Sequence, residues 1–192
     1  MKSKETFKVK IYFLPIIFIG LLVALDQLTK SIITGNFILY EKRPLIDDVF
    51  SFTYIQNTGI AWGMFKGKIN ILLIITALII ILCSYMFHNI SEKKGFMAAK
   101  VCLIFIISGG IGNMIDRLKL GYVIDFLSFD LIDFPVFNVA DIYVTVFTIL
   151  LFVLILFKYS DEEFDIMLGS KKKAVETVSK NNDESDKDTN SV

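Results

Sequence analysis

Two aspartates, Asp125 and Asp141, lie on either side of one short segment of the chain. Two carboxyls held a few ångströms apart in a partly dry site cannot both ionise easily, so one keeps a proton at neutral pH. The ionised member can take a proton from water as that water attacks a peptide carbonyl. The protonated member can hydrogen-bond the carbonyl oxygen and later help to protonate the departing amine. No metal, cofactor or covalent intermediate is required. If Asp141 opens a helix, the positive end of that helix makes it the more easily ionised of the two. The titration itself would belong to the pair.

The elements around these residues place them at a membrane edge. Asp141 precedes Ile142 to Phe157, sixteen residues without a charge, which span ~24 Å as a helix. The hydrocarbon core of a bilayer is ~30 Å thick, so the helix must start earlier and carry Asp141 to the boundary. An ionisable group there is costly and is usually tolerated for function. Four runs are long enough to be spans: Ile11 to Leu25, Ile69 to Phe87, Ala98 to Ile115 and Phe137 to Phe157. The chain of 192 residues is 54% hydrophobic, with 18 Phe and a mean hydropathy of +0.61. A soluble domain is rarely this apolar from end to end. The fold class is membrane α-helical, with four transmembrane helices.

Charge gives the orientation. Lys2, Lys4, Lys8 and Lys10 precede the first span, Lys93, Lys94 and Lys100 flank the turn between spans two and three, and Lys158 follows the fourth. These flanks put both termini and the middle turn in the cytoplasm. Lys42, Arg43, Lys66 and Lys68, in the first outer loop, weaken that signal. A basic start before an apolar run can be a cleaved leader, but no small-x-small site follows Leu25, so the first span is expected to be retained. A net charge of zero gives no reason to expect a nucleic-acid partner.

With the N-terminus inside, the conspicuous polar residues fall toward one leaflet. Asp26 and Lys30 end span one, and Asn113, Asp116 and Arg117 end span three. Asn138 and Asp141 open span four, while Asn57 and Asp125 come from the two outer loops. Random placement would not favour such convergence, whereas a single site would.

Each residue has a plainer reading as well. Asp26 and Lys30 are four apart on one helical face and read as a structural ion pair, shaping the site from behind. Asp116 and Arg117 are neighbours and cannot pair on one face, so Arg117 reaches a lipid phosphate, a substrate carbonyl or another acid. Gly109, Gly110 and Gly112 with Ser108 read as a close-packing face. Ser108 as a nucleophile would need a base, and His88, the single histidine, lies at the other leaflet. Asn138 with an acid three residues on resembles a capping box, and that motif alone favours neither capping nor catalysis. A lone Asp125 would be a solvated loop acid, were its neighbours not Val123, Ile124, Phe126 and Leu127. Cys83 and Cys102 read as packing residues.

In the first outer loop Phe50, Phe52 and Tyr54 alternate with Ser51 and Thr53, the period of a half-buried strand. Asn57-Thr58-Gly59 marks a turn, and Trp62 suits an outer interface. A small extracytoplasmic β-sheet resting on the membrane follows. Residues 1–157 form the membrane domain, and 158–192 are expected to be a charged, disordered cytoplasmic tail. Residues 160–192 carry nine acids and five lysines.

These residues resemble the lipoprotein signal peptidases, the type II signal peptidases of bacterial cytoplasmic membranes. The matching blocks are Asp26-Gln27-Leu28-Thr29-Lys30, Asn57-Thr58-Gly59-Ile60-Ala61-Trp62, Gly109-Gly110 through Gly112-Asn113 to Asp116-Arg117-Leu118, Val123-Ile124-Asp125-Phe126, and Phe137-Asn138-Val139-Ala140-Asp141. The resemblance implies an aspartyl endopeptidase with Asp125 and Asp141 as its catalytic dyad. It gives supporting roles to Asp26, Lys30, Asn57, Gly59, Asn113, Asp116, Arg117, Asn138 and Ala140. The implied substrate is a prolipoprotein, cut just before its diacylglyceryl-modified cysteine, and globomycin-type peptides are the implied inhibitors. Membrane lipids are the other implied partners. A sheet that cradles substrate is implied as well. Ile142 and Phe147 depart from the small residues common after the last motif.

One rival is a proton-coupled transporter or channel subunit, using Asp26, Lys30 and Asp141 as a relay. It would need polar residues through the inner halves of the spans, where span four offers only Thr145 and Thr148 beyond Tyr143. The other is a non-enzymatic scaffold with a structural polar cluster.

Overall fold

The computed structural model describes residues 2–59 and 64–170, with the backbone alone for residues 2–11. Expectations about Trp62, the lysines of the N-terminal flank and residues 171–192 lie outside the described residues or side chains. Four long helices carry the chain: α1 (Lys2–Asn36), α2 (Ile69–Ile90), α3 (Met97–Leu120) and α4 (Val139–Phe157). Their apolar stretches, Tyr12–Asn36, Ile69–Ile90, Met97–Leu120 and Val139–Phe157, are each long enough to cross a bilayer. The first span thus runs eleven residues past Leu25, continuing through Asp26 and Lys30 as the short apolar run required.

The third helix is the central one. Half of its most apolar window is buried within the protein, against 17% for each of the other three, which leave most of that surface uncovered by the rest of the chain. Its composition explains the position, because Ala99, Gly109 and Gly112 leave room for neighbours. A Cβ on Gly109 would strike the carbonyl oxygen of Ala140, and one on Gly112 would lie 2.5 Å from an Asp26 carboxylate oxygen. Backbones can approach closely where side chains are this small. Those glycines bring α4 and α1 against α3 at the level of the polar residues. Ser108 donates to the Ile104 carbonyl of its own helix at 2.7 Å, consistent with packing. Below this level, Cys102, Leu103 and Ile106 meet Ile90, Phe96 and Leu151 in the main apolar core.

The sheet is three-stranded and antiparallel, in the order β1 (Lys42–Ile46), β2 (Phe50–Asn57), β3 (Val123–Phe129). Strand β2 does not follow the simple alternation expected of it. Ser51 and Tyr54, three residues apart, are its two buried positions. The register of β2 on β3 shifts between Phe52 and Ile55, and that bulge swaps the faces of the strand. Ile33, Tyr54, Ile124 and Phe126 form a second small core that seats the sheet on the C-terminal end of α1.

Residues expected to begin the tail form a fifth helix, α5 (Asp161–Met167). Ser160 and Glu163 make a capping box at its start. Met167 is fully buried, and Asn89 of α2 donates to its carbonyl at 2.9 Å. The acids of this segment mask its helix-start signal and apolar positions when composition alone is read.

Candidate active site

Eleven residues singled out in the sequence meet between α1, α3, the sheet and the start of α4. Asp26 and Lys30 lie one turn apart on α1 and face α3. Lys30 Nζ reaches Asp26 Oδ2 at 2.9 Å and Asp116 Oδ2 at 2.9 Å, and donates to Asn113 Oδ1 at 3.0 Å. The expected pair is therefore a triad across two helices. Asp26 also accepts the backbone N–H of Ala140 at 3.0 Å, so a side chain of α1 caps the first turn of α4.

Asn138 is the N-cap of α4. Its Oδ1 accepts the Asp141 N–H at 3.0 Å, and Asp141 Oδ2 accepts the Asn138 N–H at 3.1 Å. The capping box is present, yet it leaves the Asn138 amide nitrogen free for other work. Nδ2 donates to Asp125 Oδ1 at 2.6 Å and to Asn113 Oδ1 at 3.1 Å. Asn113 then donates to Asp141 Oδ1 at 2.8 Å, and Asn57 donates to Asp125 Oδ2 at 2.8 Å. The other end of Asn57 accepts the Gly59 N–H at 2.9 Å. Each of the three asparagines thus has its carbonyl oxygen committed elsewhere, which fixes its amide nitrogen toward a carboxylate. All four carboxylate oxygens of Asp125 and Asp141 accept an N–H.

Gly59 closes the loop after β2, where a Cβ would lie 2.7 Å from the Met64 carbonyl oxygen. Its own carbonyl accepts from Arg117 at 3.4 Å. The Arg117 guanidinium adds positive charge near Asp141, Asp125 and Asp116. Burial, and next the charge of Asp141, push the Asp125 carboxyl up to about 7, against the pull of its Asn57 and Asn138 hydrogen bonds. Asp125 therefore holds its proton well above the usual carboxylate range.

Asp125 and Asp141 open onto one cleft of about 560 Å³. Asn57, Gly59, Asn113 and Arg117 share its polar wall. Phe50, Leu127, Phe129, Phe134 and Phe137, with Ile142 and Val146 of α4, supply its apolar lining. The rings form a chain, Phe50 to Phe129 at 5.2 Å, Phe129 to Phe137 at 5.5 Å and Phe137 to Phe134 at 5.8 Å. The site can hold an extended polar strand against two carboxylates while an apolar group lies along the aromatic wall.

The signal peptidase (SPase) II family model matches residues 18–157, most of the chain. The chain belongs to the signal peptidase II family. Lipoprotein signal peptidases of two Streptococcus pyogenes strains, serotype M5 Manfredo and serotype M18 MGAS8232, are each 44% identical over 142 residues. Those alignments cover 73% of this chain and 91% of each relative. Two solved bacterial membrane enzymes, determined by the in meso method at 2.3 Å and 1.9 Å resolution, share the fold. Their TM-scores are 0.66 and 0.63 at 32% and 30% identity, covering 74% and 76% of this chain and 87% and 94% of theirs. As a signal peptidase II, the protein is a multi-pass membrane aspartic peptidase, and the transporter alternative is not favoured.

Sequence reasoning did not single out two parts of this peptidase site. Gln27 donates to Asp116 Oδ1 at 2.8 Å and to Asp26 Oδ2 at 3.2 Å, tying the acids together. A neutral amide beside Asp26 gave only the signal of a polar residue inside a span. The aromatic wall was visible as Phe residues flanking Asp125, but which of them share a face depends on the bulge in β2.

Proposed function

We propose that Asp125 and Asp141 are the catalytic dyad with which this signal peptidase cleaves a prolipoprotein before its diacylglyceryl-modified cysteine. One observation carries the assignment: Asn138 holds Asp125 with its side chain and Asp141 with its backbone, over a single cleft. Asp141, at the N-terminus of α4, is the base that takes a proton from the attacking water. Asp125 carries the shared proton, hydrogen-bonds the scissile carbonyl and then helps to protonate the leaving amine. The asparagine amides fix both carboxylates and Arg117 adds positive charge near them, so little reorganisation accompanies the reaction.

The membrane setting fits the same reading. Lysine flanks place both termini in the cytoplasm and the dyad toward the outer leaflet. The lipid on the substrate cysteine keeps the scissile bond at that depth. Its acyl chains and the apolar signal helix approach laterally past bilayer lipids, and the aromatic wall receives the apolar part. A globomycin-type peptide would compete for the same cleft.

The test is cleavage of a diacylglyceryl-modified prolipoprotein by purified wild-type, Asp125→Asn and Asp141→Asn proteins. Loss of turnover in both variants is expected. Full activity in either would end the assignment.

A further inference from the structure

Lys30, Asp26 and Asp116 are almost completely buried, at 1%, 0% and 2% exposure. A buried ion cluster is weak evidence of stabilisation, because desolvation offsets most of the attraction. Its retention calls for another reason. The contacts of the cluster supply one, since two of its outward links end beside Asp141, while a third, the Ile124 N–H on Asp116 Oδ2 at 3.2 Å, ends beside Asp125.

The first link is a side chain. All three Lys30 protons are used, on Asp26, Asp116 and Asn113 Oδ1. That last bond pins the Asn113 carbonyl from behind, and the amide nitrogen of the same side chain meets Asp141 Oδ1 at 2.8 Å. The second link is backbone. Asp26 holds the N–H of Ala140, the residue just before Asp141, at 3.0 Å. Lys30 in turn fixes the Asp26 carboxylate.

We infer that the Asp26–Lys30–Asp116 triad is a positioning device for Asp141, with Lys30 as its central positioning residue. It acts through Asn113 and through the first turn of α4, and it contributes little to the stability of the fold. The inference rests on Asp141 being the catalytic base proposed above.

The discriminating variant is Lys30→Met with Asp116→Asn, which keeps the net charge of the cluster and its approximate shape while removing the donor to Asn113. The full-length protein in detergent or bilayer is assayed with a diacylglyceryl-modified prolipoprotein peptide, and activity is expressed per folded molecule. The expected kcat falls on the order of 100-fold, the loss typical of a misplaced reacting group. KM stays within about threefold, because no substrate contact is lost. The side-chain amide resonance of Asn113 shifts as its bond to Asp141 loosens. Asn113→Leu, with the triad intact, gives a similar fall in kcat.

Unchanged kcat in either variant overturns the inference, as does an unmoved Asn113 resonance. A double variant that fails to fold also overturns it, since the triad would then be holding the structure. Wild-type protein that does not cleave the peptide would instead sink the functional reading, leaving the Asn113 resonance to decide the geometry.

Discussion

Asn138 donates its side-chain amide to Asp125 at 2.6 Å while its carbonyl oxygen caps the helix that Asp141 begins. One residue therefore does two separable jobs with two ends of the same amide. Helix capping and contact with Asp125, which compete as readings of the sequence, coexist on this one side chain.

Asn138→Ser separates those jobs. Serine caps helices about as well as asparagine, whereas alanine at such a position costs about 1 kcal/mol. Serine cannot span to Asp125 with an N–H. Asn138→Ser is expected to melt near the wild-type temperature with kcat lowered on the order of 100-fold, and Asn138→Ala to lose both stability and turnover. Thermal unfolding in detergent beside a cleavage assay checks this; equal kcat in the serine variant would show that Asp125 needs no amide from Asn138.

The proton on Asp125 sets a pH dependence whose sign can be stated. Its carboxyl titrates at about 7 in the folded protein against the ordinary 3.8. Cleavage needs one proton on the pair, so the rate falls as pH rises through about 7, approaching tenfold per unit above it. Stability follows the same direction. The folded chain holds this proton more tightly than the unfolded chain does. The associated stability is complete below about pH 4 and is lost progressively as pH rises to about 7, amounting to roughly 4 kcal/mol at most. Asp125→Asn is expected to flatten that loss, which unfolding measurements at pH 5 and pH 8 would detect. A variant as pH-sensitive as the wild type would place the titration on another group.

Much of this site is legible in the chain because polar residues are conspicuous in an apolar one. Asp125 among Val123, Ile124, Phe126 and Leu127, and Asp141 before sixteen uncharged residues, are anomalies that lipid makes expensive. What one sequence does not carry is the rotation of one helix against another. Lys30 reads as the partner of Asp26 by spacing, whereas its bond to Asp116 depends on how the glycine face of α3 sets the approach of α1. Strand parity fails for a similar reason. The bulge between Phe52 and Ile55 is fixed by pairing with β3, which is seventy residues away in the chain. The helix at 161–167 is hidden from composition because its acids dominate while Ser160 and Glu163 supply a helix start.

The close approach of α3 to α1 gives a paired test on two glycines. A Cβ at Gly112 would lie 2.5 Å from Asp26 Oδ2 and 3.4 Å from the Ala140 Cβ. Gly112→Ala must push the Asp26 carboxylate off the Ala140 N–H, at a cost of about 1–3 kcal/mol for overpacking. Turnover should fall with it, since Asp141 is the next residue. Gly20 on α1 has nothing within 4 Å of such a Cβ. Gly20→Ala is expected to leave melting and cleavage unchanged or slightly improved. Equal behaviour of the two alanine variants would mean that the α1–α3 contact does not constrain the site.

The aromatic wall predicts a different kinetic signature. Phe129 stands between Phe50 and Phe137 and is 43% exposed, with its ring facing the cleft. The next residue, Asp130, is tied to β1 by Lys42 at 2.9 Å and donates its N–H to Val49, so the ring is held in place. No hydrogen bond of the dyad involves Phe129. Phe129→Ala should therefore remove apolar contact with substrate without disturbing Asp125 or Asp141. Covering the exposed part of a phenylalanine ring contributes about 1–2 kcal/mol, equivalent to roughly tenfold in binding. KM is expected to rise by about that factor with kcat little changed, the pattern of an interaction equally strong in ground and transition states. If the ring meets the lipid, the penalty shrinks for prolipoprotein peptides carrying shorter acyl chains. A penalty that ignores chain length would assign Phe129 to the peptide, and no penalty at all would move the apolar part of the substrate away from this wall.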